Sequence, residues 1–353
     1  MLRLGILGAG AIGARHLAAA QTQGMEVRCL VDRDLQRAKA VAAQHDVAAS
    51  DDPEQIWQDD QIDAVVIGVP NCFHKLLATQ AMRSGKHVLL EKPMALNAAQ
   101  CDELVDVAAE TGRILQIGFV HRFTAVGLAA RRIAASGDLG NVRHAKAQLL
   151  ARRGIPGLGG WFTQQERAGG GCLIDLGVHL IDLALHLLGQ PHPVAVSGKT
   201  YADFGTKMRD YHYETMWAGP PDYDGVFDVE DSAYALIHFE SGATLDLQVA
   251  WACNLPDDGA PPSQVALLGD QGGLSFELFG DHLRVRTAID AYNAEAKVAL
   301  PAVDQMVDQL ADFAAAIESG AHHLGATPAE GRRVQHLVDA IYESSRQNGP
   351  ITL

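Results

Sequence analysis

Asp175, His179, Asp182 and His186 recur at steps of four, three and four residues, the spacing that puts side chains on one face of a helix. Around them run two apolar stripes. One is Leu173, Leu176, Leu180, Leu183 and Leu187; the other is Ile174, Val178, Ile181, Leu185 and Leu188. A helix apolar on both sides of a polar line is largely buried, and ionisable groups there are costly unless paired or hydrogen-bonded. Two readings follow: an Asp–His network closing on itself in the core, or an acid/base site facing a cleft. In the second, His179 is the type of residue that takes a proton near neutral pH, and Asp175, one turn before it, orients the ring or steadies the imidazolium. Asp182 and His186 then serve as packing or supporting groups. Asp175, His179 and Asp182 could also face a metal, but no further His or Cys ligands cluster with them, so no metal site is expected. Gly169, Gly170 and Gly171 precede the stretch and permit an irregular, closely approached backbone. Gly189 reads as its C-terminal stop.

A second group of residues points to a nucleotide. Leu4–Leu7 reads as a short buried strand, followed by Gly8-Ala9-Gly10-Ala11-Ile12-Gly13, an Ala-rich helix to about Gln23, and a strand Val27–Val31 ending in Asp32. This is G-x-G-x-x-G between strand and helix with an acid about 20 residues on, the dinucleotide-binding pattern. The glycines allow the turn and close approach to a pyrophosphate, which would sit on the helix N-terminus. Asp32 suits hydrogen bonds to the ribose hydroxyls and repels a 2′-phosphate, which favours NAD. Arg33 beside it could neutralise such a phosphate, so NADP remains open.

The alternation continues with a strand Ala64–Gly68, a helix to Ser84 opened by Pro70 and Asn71 as stop and N-cap, a strand His87–Leu90, a helix Ala98–Thr111 and a strand Ile114–Gly118. Repeated strand–helix units predict a parallel, doubly wound sheet, whose ligands bind beyond the strand carboxyl ends. Asp32, Asn71, His74 and Lys92 fall at those ends. Lys92, between Glu91 and Pro93, lies where a nicotinamide ring would come. The cofactor contacts expected from this half are Gly8, Gly10, Ala11, Ile12, Gly13, Asp32, Arg33, Pro70, Asn71, His74 and Lys92.

The pattern then changes. A helix from about Ala125 to Ala135 leads to a long strand-like run, Val142–Leu150, a glycine-rich loop 152–171 and the central helix. After a short strand Val194–Ser197, the turn-rich segment Tyr201–Asp228 carries Tyr201, Tyr211, His212, Tyr213, Trp217 and Tyr223, suited either to sugar C–H faces or to a subunit interface. Strands Ser232–Phe239, Ala243–Ala250, Val265–Leu268, Leu274–Leu278 and Leu283–Val285 follow with short turns, which predicts antiparallel pairing. The 173–188 helix should cover one face. Two helices, about Val303–Ser319 and Ala329–Ser344, close the chain. An apolar opposite face would favour a homodimer or homotetramer.

Composition narrows the class. The 353 residues predict two domains, divided as 1–122 and 123–353, and 48% hydrophobic with 20% charged residues is ordinary for a globular protein. A formal net charge of -15 argues against nucleic acid or an anionic membrane as partner. Five cysteines with no C-x-x-C fit a reducing cytoplasm. No uninterrupted apolar stretch is long enough to span a bilayer.

Taken together, the glycine motif at 8–13, Glu91-Lys92-Pro93, and Gly169-Gly170-Gly171 with Asp175 and His179 resemble the glucose–fructose oxidoreductase/inositol dehydrogenase/rhizopine-catabolism (Gfo/Idh/MocA) family over essentially the whole chain. The resemblance implies an N-terminal Rossmann domain and a C-terminal α/β domain with an open, mostly antiparallel sheet, the last helices returning towards the first domain. It also implies nicotinamide-dependent oxidation or reduction of a sugar, inositol or related polyol. Its roles fall on Lys92, Asp175 and His179 as the catalytic set, on Glu91 and Lys92 as cofactor contacts, and on Arg122 and Trp161 as residues near the cofactor. Either His179 or Lys92 could take the proton. The alternatives are an NAD-dependent glycosidase working by transient oxidation and a non-catalytic NAD-sensing protein.

Overall fold

The computed structural model describes residues 2–214, 216–256, 261–289 and 292–353. The chain divides into two compact units, Met1–Val120 with Asp304–Gln335, and His121–Val303 with His336–Leu353.

The first unit is built on six parallel strands: β1 (Arg3–Leu7), β2 (Glu26–Val31), β3 (Ala48–Ser50), β4 (Ala64–Ile67), β5 (His87–Leu90) and β6 (Leu115–Ile117). They lie in the order β3-β2-β1-β4-β5-β6. Between them run α1 (Ala11–Thr22), α2 (Leu35–Ala42), α3 (Glu54–Trp57), α4 (His74–Arg83) and α5 (Ala98–Thr111). Leu4, Ile6, Val66 and Leu89 are fully buried between strand neighbours and helices, the continuous apolar reading a parallel strand requires. Met306, Leu310 and Phe313, from the helix Gln305–Ser319, belong to the same core. The order of strand addition reverses between β1 and β4, so the ligand edge lies beyond Leu7, Val31, Ile67 and Leu90. Elements α2, β3 and α3 fill a span in which the sequence showed no periodic element.

The second unit starts with α6 (Ala125–Ser136) and β7 (Val142–Leu150), then α7 (Gln165–Ala168). The central helix comes next, with β8 (Pro193–Tyr201), β9 (Ser232–Phe239), β10 (Thr244–Ala250), β11 (Ser263–Gly269), β12 (Gly272–Phe276), β13 (His282–Ile289), β14 (Tyr292–Ala299) and β15 (Ile351–Thr352) after it. The nine strands run β14-β13-β12-β11-β7-β10-β9-β8-β15. All pairs are antiparallel except β7 with β10. In β9 the residues Ala233, Ala235 and Ile237 point inward while Tyr234, Leu236 and His238 point out, as the two-residue period dictates.

The central helix is not one uniform element. Leu173–Gly177 form a π turn and Val178–Leu187 an α-helix, here α8, packed on β7 and β10. Gly189 follows with φ 78°, the left-handed stop that glycine adopts without strain. The continuous run Gln165–Leu187 is long and apolar enough by composition to cross a membrane, but 89% of its most apolar window is buried in this unit. The segment Tyr201–Asp228, apart from Thr215, which lies outside the described residues, is laced to the loop before the glycines. Ala218 N donates to Pro156 O (2.8 Å), Asp222 N to Leu158 O (2.8 Å) and Asp228 N to Thr163 O (3.1 Å).

Candidate active site

In the first unit the glycine motif is fixed by close contacts. Gly8 has φ 101° and a Cβ there would lie 2.4 Å from Gly68 O; one at Gly13 would lie 1.8 Å from Gly8 O. At Gly10, by contrast, a Cβ would meet no heavy atom within 4 Å. Gly10 is the N-cap of α1 and supplies no side-chain cap, so the first-turn N–H groups of Ala11, Ile12 and Gly13 have no intrahelical partner. Backbone donors at a helix N-terminus with open space above them form an anion cradle, and this is what the cofactor's pyrophosphate needs. Asp32 completes it. Its carboxylate accepts from Ala9 N (2.8 Å) and Asp34 N (2.9 Å), which fixes it at the end of β2 where a ribose would lie. Arg33 is exposed.

Further along this edge the structure revises one expectation and shows how two other expected residues are held. Asn71 does not cap α4: Pro70 occupies the N-cap of a short 3-10 turn, Asn71–Phe73, with no side-chain cap, and Asn71 is buried within it. His74 is held by the protein's own backbone. Its ring is 1% exposed, with Nδ1 2.7 Å from Pro93 O and Nε2 2.9 Å from Val69 O. Burial pushes its pKa down against the two carbonyl contacts, which raise it, and the ring lies between the loop after β4 and the loop after β5. The Glu91 side chain also faces inward: Oε1 lies 2.7 Å from His16 Nε2, and Oε2 accepts from Lys92 N at 3.3 Å. Burial alone would raise the carboxyl's pKa. The hydrogen bond and charge of His16, with Lys92 beside it, outweigh that and hold it below the usual range. Glu91 thereby links α1 to the backbone amide of Lys92, which is half-buried and joined to Pro93 by a cis peptide bond.

In the second unit, two residues, Glu230 and Tyr342, set the triple-glycine turn. Gly169 has φ 85°, a Cβ on Gly170 would lie 1.9 Å from the Tyr342 hydroxyl, and one on Gly171 would lie 1.9 Å from Glu230 O. The Glu230 carboxylate accepts from Gly171 N (2.9 Å), Leu173 N (2.9 Å) and the Tyr342 hydroxyl (3.0 Å). Burial raises its pKa against these bonds. A buried side chain thus satisfies the amides that open the π turn, which explains why a non-α start is tolerated here.

Asp175 lies inside that turn, and its Oδ2 accepts from Trp251 Nε1 at 2.9 Å. His179 is half-buried, its ring edge-on to His121 with centroids 4.7 Å apart. Arg122, expected near the cofactor, is paired with a buried carboxylate. Nε donates to Asp182 Oδ2 (2.8 Å) and Nη2 to Oδ1 (2.5 Å), with both side chains 2% exposed. Asp182 therefore belongs to packing, as its position down the helix suggests. His186, one turn further, has its pKa pushed down to about 3 by burial and by Arg122 and Arg131. Trp161 is half-buried and stacked on Phe162, centroids 3.8 Å apart, with Trp217 edge-on to Phe162 at 5.1 Å.

The residues missed by sequence reasoning are His16, His121, Glu230, Trp251 and Tyr342. Only Trp251 carried a signal: a tryptophan closing an apolar strand needs a partner for its indole N–H. Among the described residues no group of three or more His, Cys, Asp or Glu is placed to hold a metal ion.

A parallel sheet with a glycine-lined anion cradle and a ribose-facing acid, together with a carboxylate and an imidazole on a buried helix, defines a nicotinamide-nucleotide oxidoreductase. Residues 2–119 match the model of the oxidoreductase family with an NAD-binding Rossmann fold, and residues 128–282 match the GFO/IDH/MocA C-terminal domain. The chain belongs to the Gfo/Idh/MocA family of NAD(P)-dependent oxidoreductases. It is 29% identical to D-glucoside 3-dehydrogenase of Escherichia coli (strain K12), over 100% of this chain and 97% of that protein. It is 30% identical to a putative UDP-kanosamine synthase oxidoreductase subunit of Amycolatopsis mediterranei (strain S699), over 81% and 79%. Among solved structures, levoglucosan dehydrogenase in complex with NADH and levoglucosan superposes with a TM-score of 0.86 at 22% identity, covering 99% of each chain.

Proposed function

We propose that this enzyme transfers a hydride between NAD and a ring carbon bearing a hydroxyl in a sugar, glycoside or related polyol, with Lys92, Asp175 and His179 as the catalytic residues. The observation that carries the reading is the Asp175–His179 pair: a carboxylate and an imidazole one turn apart on an otherwise apolar helix, with Asp175 held at a defined orientation. When bound, the nicotinamide supplies the hydride acceptor or donor. His179 takes the hydroxyl proton as general base, and Asp175 steadies the imidazolium that results. Lys92 binds the reacting oxygen and offsets the negative charge that develops on it. Asp32 favours NAD over NADP, since a 2′-phosphate would meet its carboxylate.

The length over which D-glucoside 3-dehydrogenase aligns places glucosides first among substrates to test. The exposed side chains of Tyr234, Leu236 and Leu268, on the outward side of the nine-stranded sheet, support self-association as a homodimer or homotetramer, and the low-cysteine, acidic composition supports a cytoplasmic location. The test is a panel of glucosides, free aldoses, inositols and sugar acids with NAD and NADP, following nicotinamide absorbance. Reduced nicotinamide appearing with a glucoside or polyol is expected. Product release without net cofactor reduction, or no turnover across the panel, would overturn the proposal.

A further inference from the structure

We propose that Trp251 is the positioning residue that aims Asp175, an inference resting on the assignment of Asp175 to the catalytic set. The indole is 2% exposed, and its only polar atom is a donor; that donor is spent on Asp175 Oδ2 at 2.9 Å. The backbone of Trp251 is itself pinned on both sides: its N–H donates to Asp231 O (2.8 Å) and its carbonyl accepts from Gly154 N (2.7 Å). Asp231 is held in turn, its carboxylate accepting from Phe204 N (2.7 Å) and Gly205 N (2.9 Å). The indole therefore has little freedom to follow Asp175 if the π turn shifts.

The other end of the carboxylate's support is equally fixed. Asp175 N donates to Gly171 O (3.0 Å), and Gly171 N donates to Glu230 Oε2 (2.9 Å). Backbone and side chain of Asp175 are thus anchored separately, to Glu230 just before β9 and to Trp251 just after β10. A carboxylate bound through one named oxygen is restrained about its terminal torsion, which is otherwise broad and roughly two-fold. Its second oxygen then keeps one direction through the reaction. Positioning of this kind affects the rate of the chemical step more than binding of the nucleotide, which contacts other residues.

The test has two readouts. The chain has four tryptophans, Trp57, Trp161, Trp217 and Trp251, so four indole N–H resonances report on the cofactor-bound enzyme. Asp175→Asn should move one of them, the one assigned to Trp251 by its absence in Trp251→Phe or by elimination with phenylalanine at the other three positions. In steady state, Trp251→Phe should lower kcat about tenfold, the effect of losing one hydrogen bond to a charged group, with the dissociation constant for NAD within about twofold. In the Asp175→Asn background it should add little, because its effect passes through that carboxylate. An unmoved indole resonance, an unchanged kcat in Trp251→Phe, or losses that multiply in the double variant would each overturn the proposal. The resonance readout needs no turnover, so an unmoved resonance overturns the proposal even if Trp251→Phe does not fold or no sugar substrate is found, the latter being the failure of the proposed function instead.

Discussion

Replacing His186 with leucine should remove a pH-dependent weakness of the second unit. The imidazole is 8% exposed and its Nε2 has no hydrogen-bond partner. Burial, then the charges of Arg122 and Arg131, push its pKa from 6.5 down to about 3. The unfolded chain restores the ordinary value. Between those two values the unfolded state binds the extra proton, so stability falls as pH falls through 6.5 towards 3. The whole window corresponds to about 5 kcal/mol, and a drop from about pH 8 to about pH 5 to roughly 2 kcal/mol. Leucine has similar volume and no proton to bind. Urea unfolding followed by tryptophan fluorescence reads the right region, because Trp161, Trp217 and Trp251 lie in the second unit and Trp57 in the first. The wild type should lose about 2 kcal/mol more than His186→Leu over that pH range. Equal pH dependence in the two proteins would refute the reasoning.

Other outcomes follow from the same geometry. Asp182→Ala leaves the Arg122 guanidinium buried without its carboxylate and should destabilise the second unit by about 3–5 kcal/mol in the same unfolding assay. Gly13→Ala drives a Cβ into Gly8 O and should lower the melting temperature, whereas Gly10→Ala meets no heavy atom of the protein and should leave melting unchanged while weakening NAD binding, read by calorimetry. Asp32→Ala should shift the ratio of kcat/KM for NAD over NADP towards NADP by about tenfold or more, since one ribose hydrogen bond to a carboxylate is lost and a repulsion removed.

What the sequence made legible is whatever depends on local spacing. The strands 87–90, 142–150 and 232–239 and the helix 98–111 coincide with their expected limits, because each has a clear period and a turn at both ends. The glycine motif was readable for the same reason: turn, helix N-terminus and acid lie within one βαβ unit. Elements without an apolar period were not. Strand β14 is exposed except for half-buried Ala294 and Val298, and β3 with α3 is too short to show one. The π turn escaped because its cause is distant: Glu230, which takes up the amides of Gly171 and Leu173, lies nearly sixty residues on. The same holds for the partners that decide the site residues. His16 meets Glu91 across 75 positions, Arg122 meets Asp182 across 60 and Trp251 meets Asp175 across 76. Residue type told that a buried Asp or Arg needs a partner; only the fold says which one, and it pairs Arg122 with Asp182 and sets His74 against two backbone carbonyls.

The central claim is that Lys92, Asp175 and His179 carry the proton and charge work of hydride transfer. Its most direct measurement is single-turnover nicotinamide reduction by Lys92→Met, Asp175→Asn and His179→Ala with the best substrate of the panel, alongside NAD binding by each variant. Loss of one such group from a positioned set should slow the hydride step by about a hundredfold or more while NAD still binds. A hydride step within about tenfold of wild type in His179→Ala at neutral pH would contradict the account.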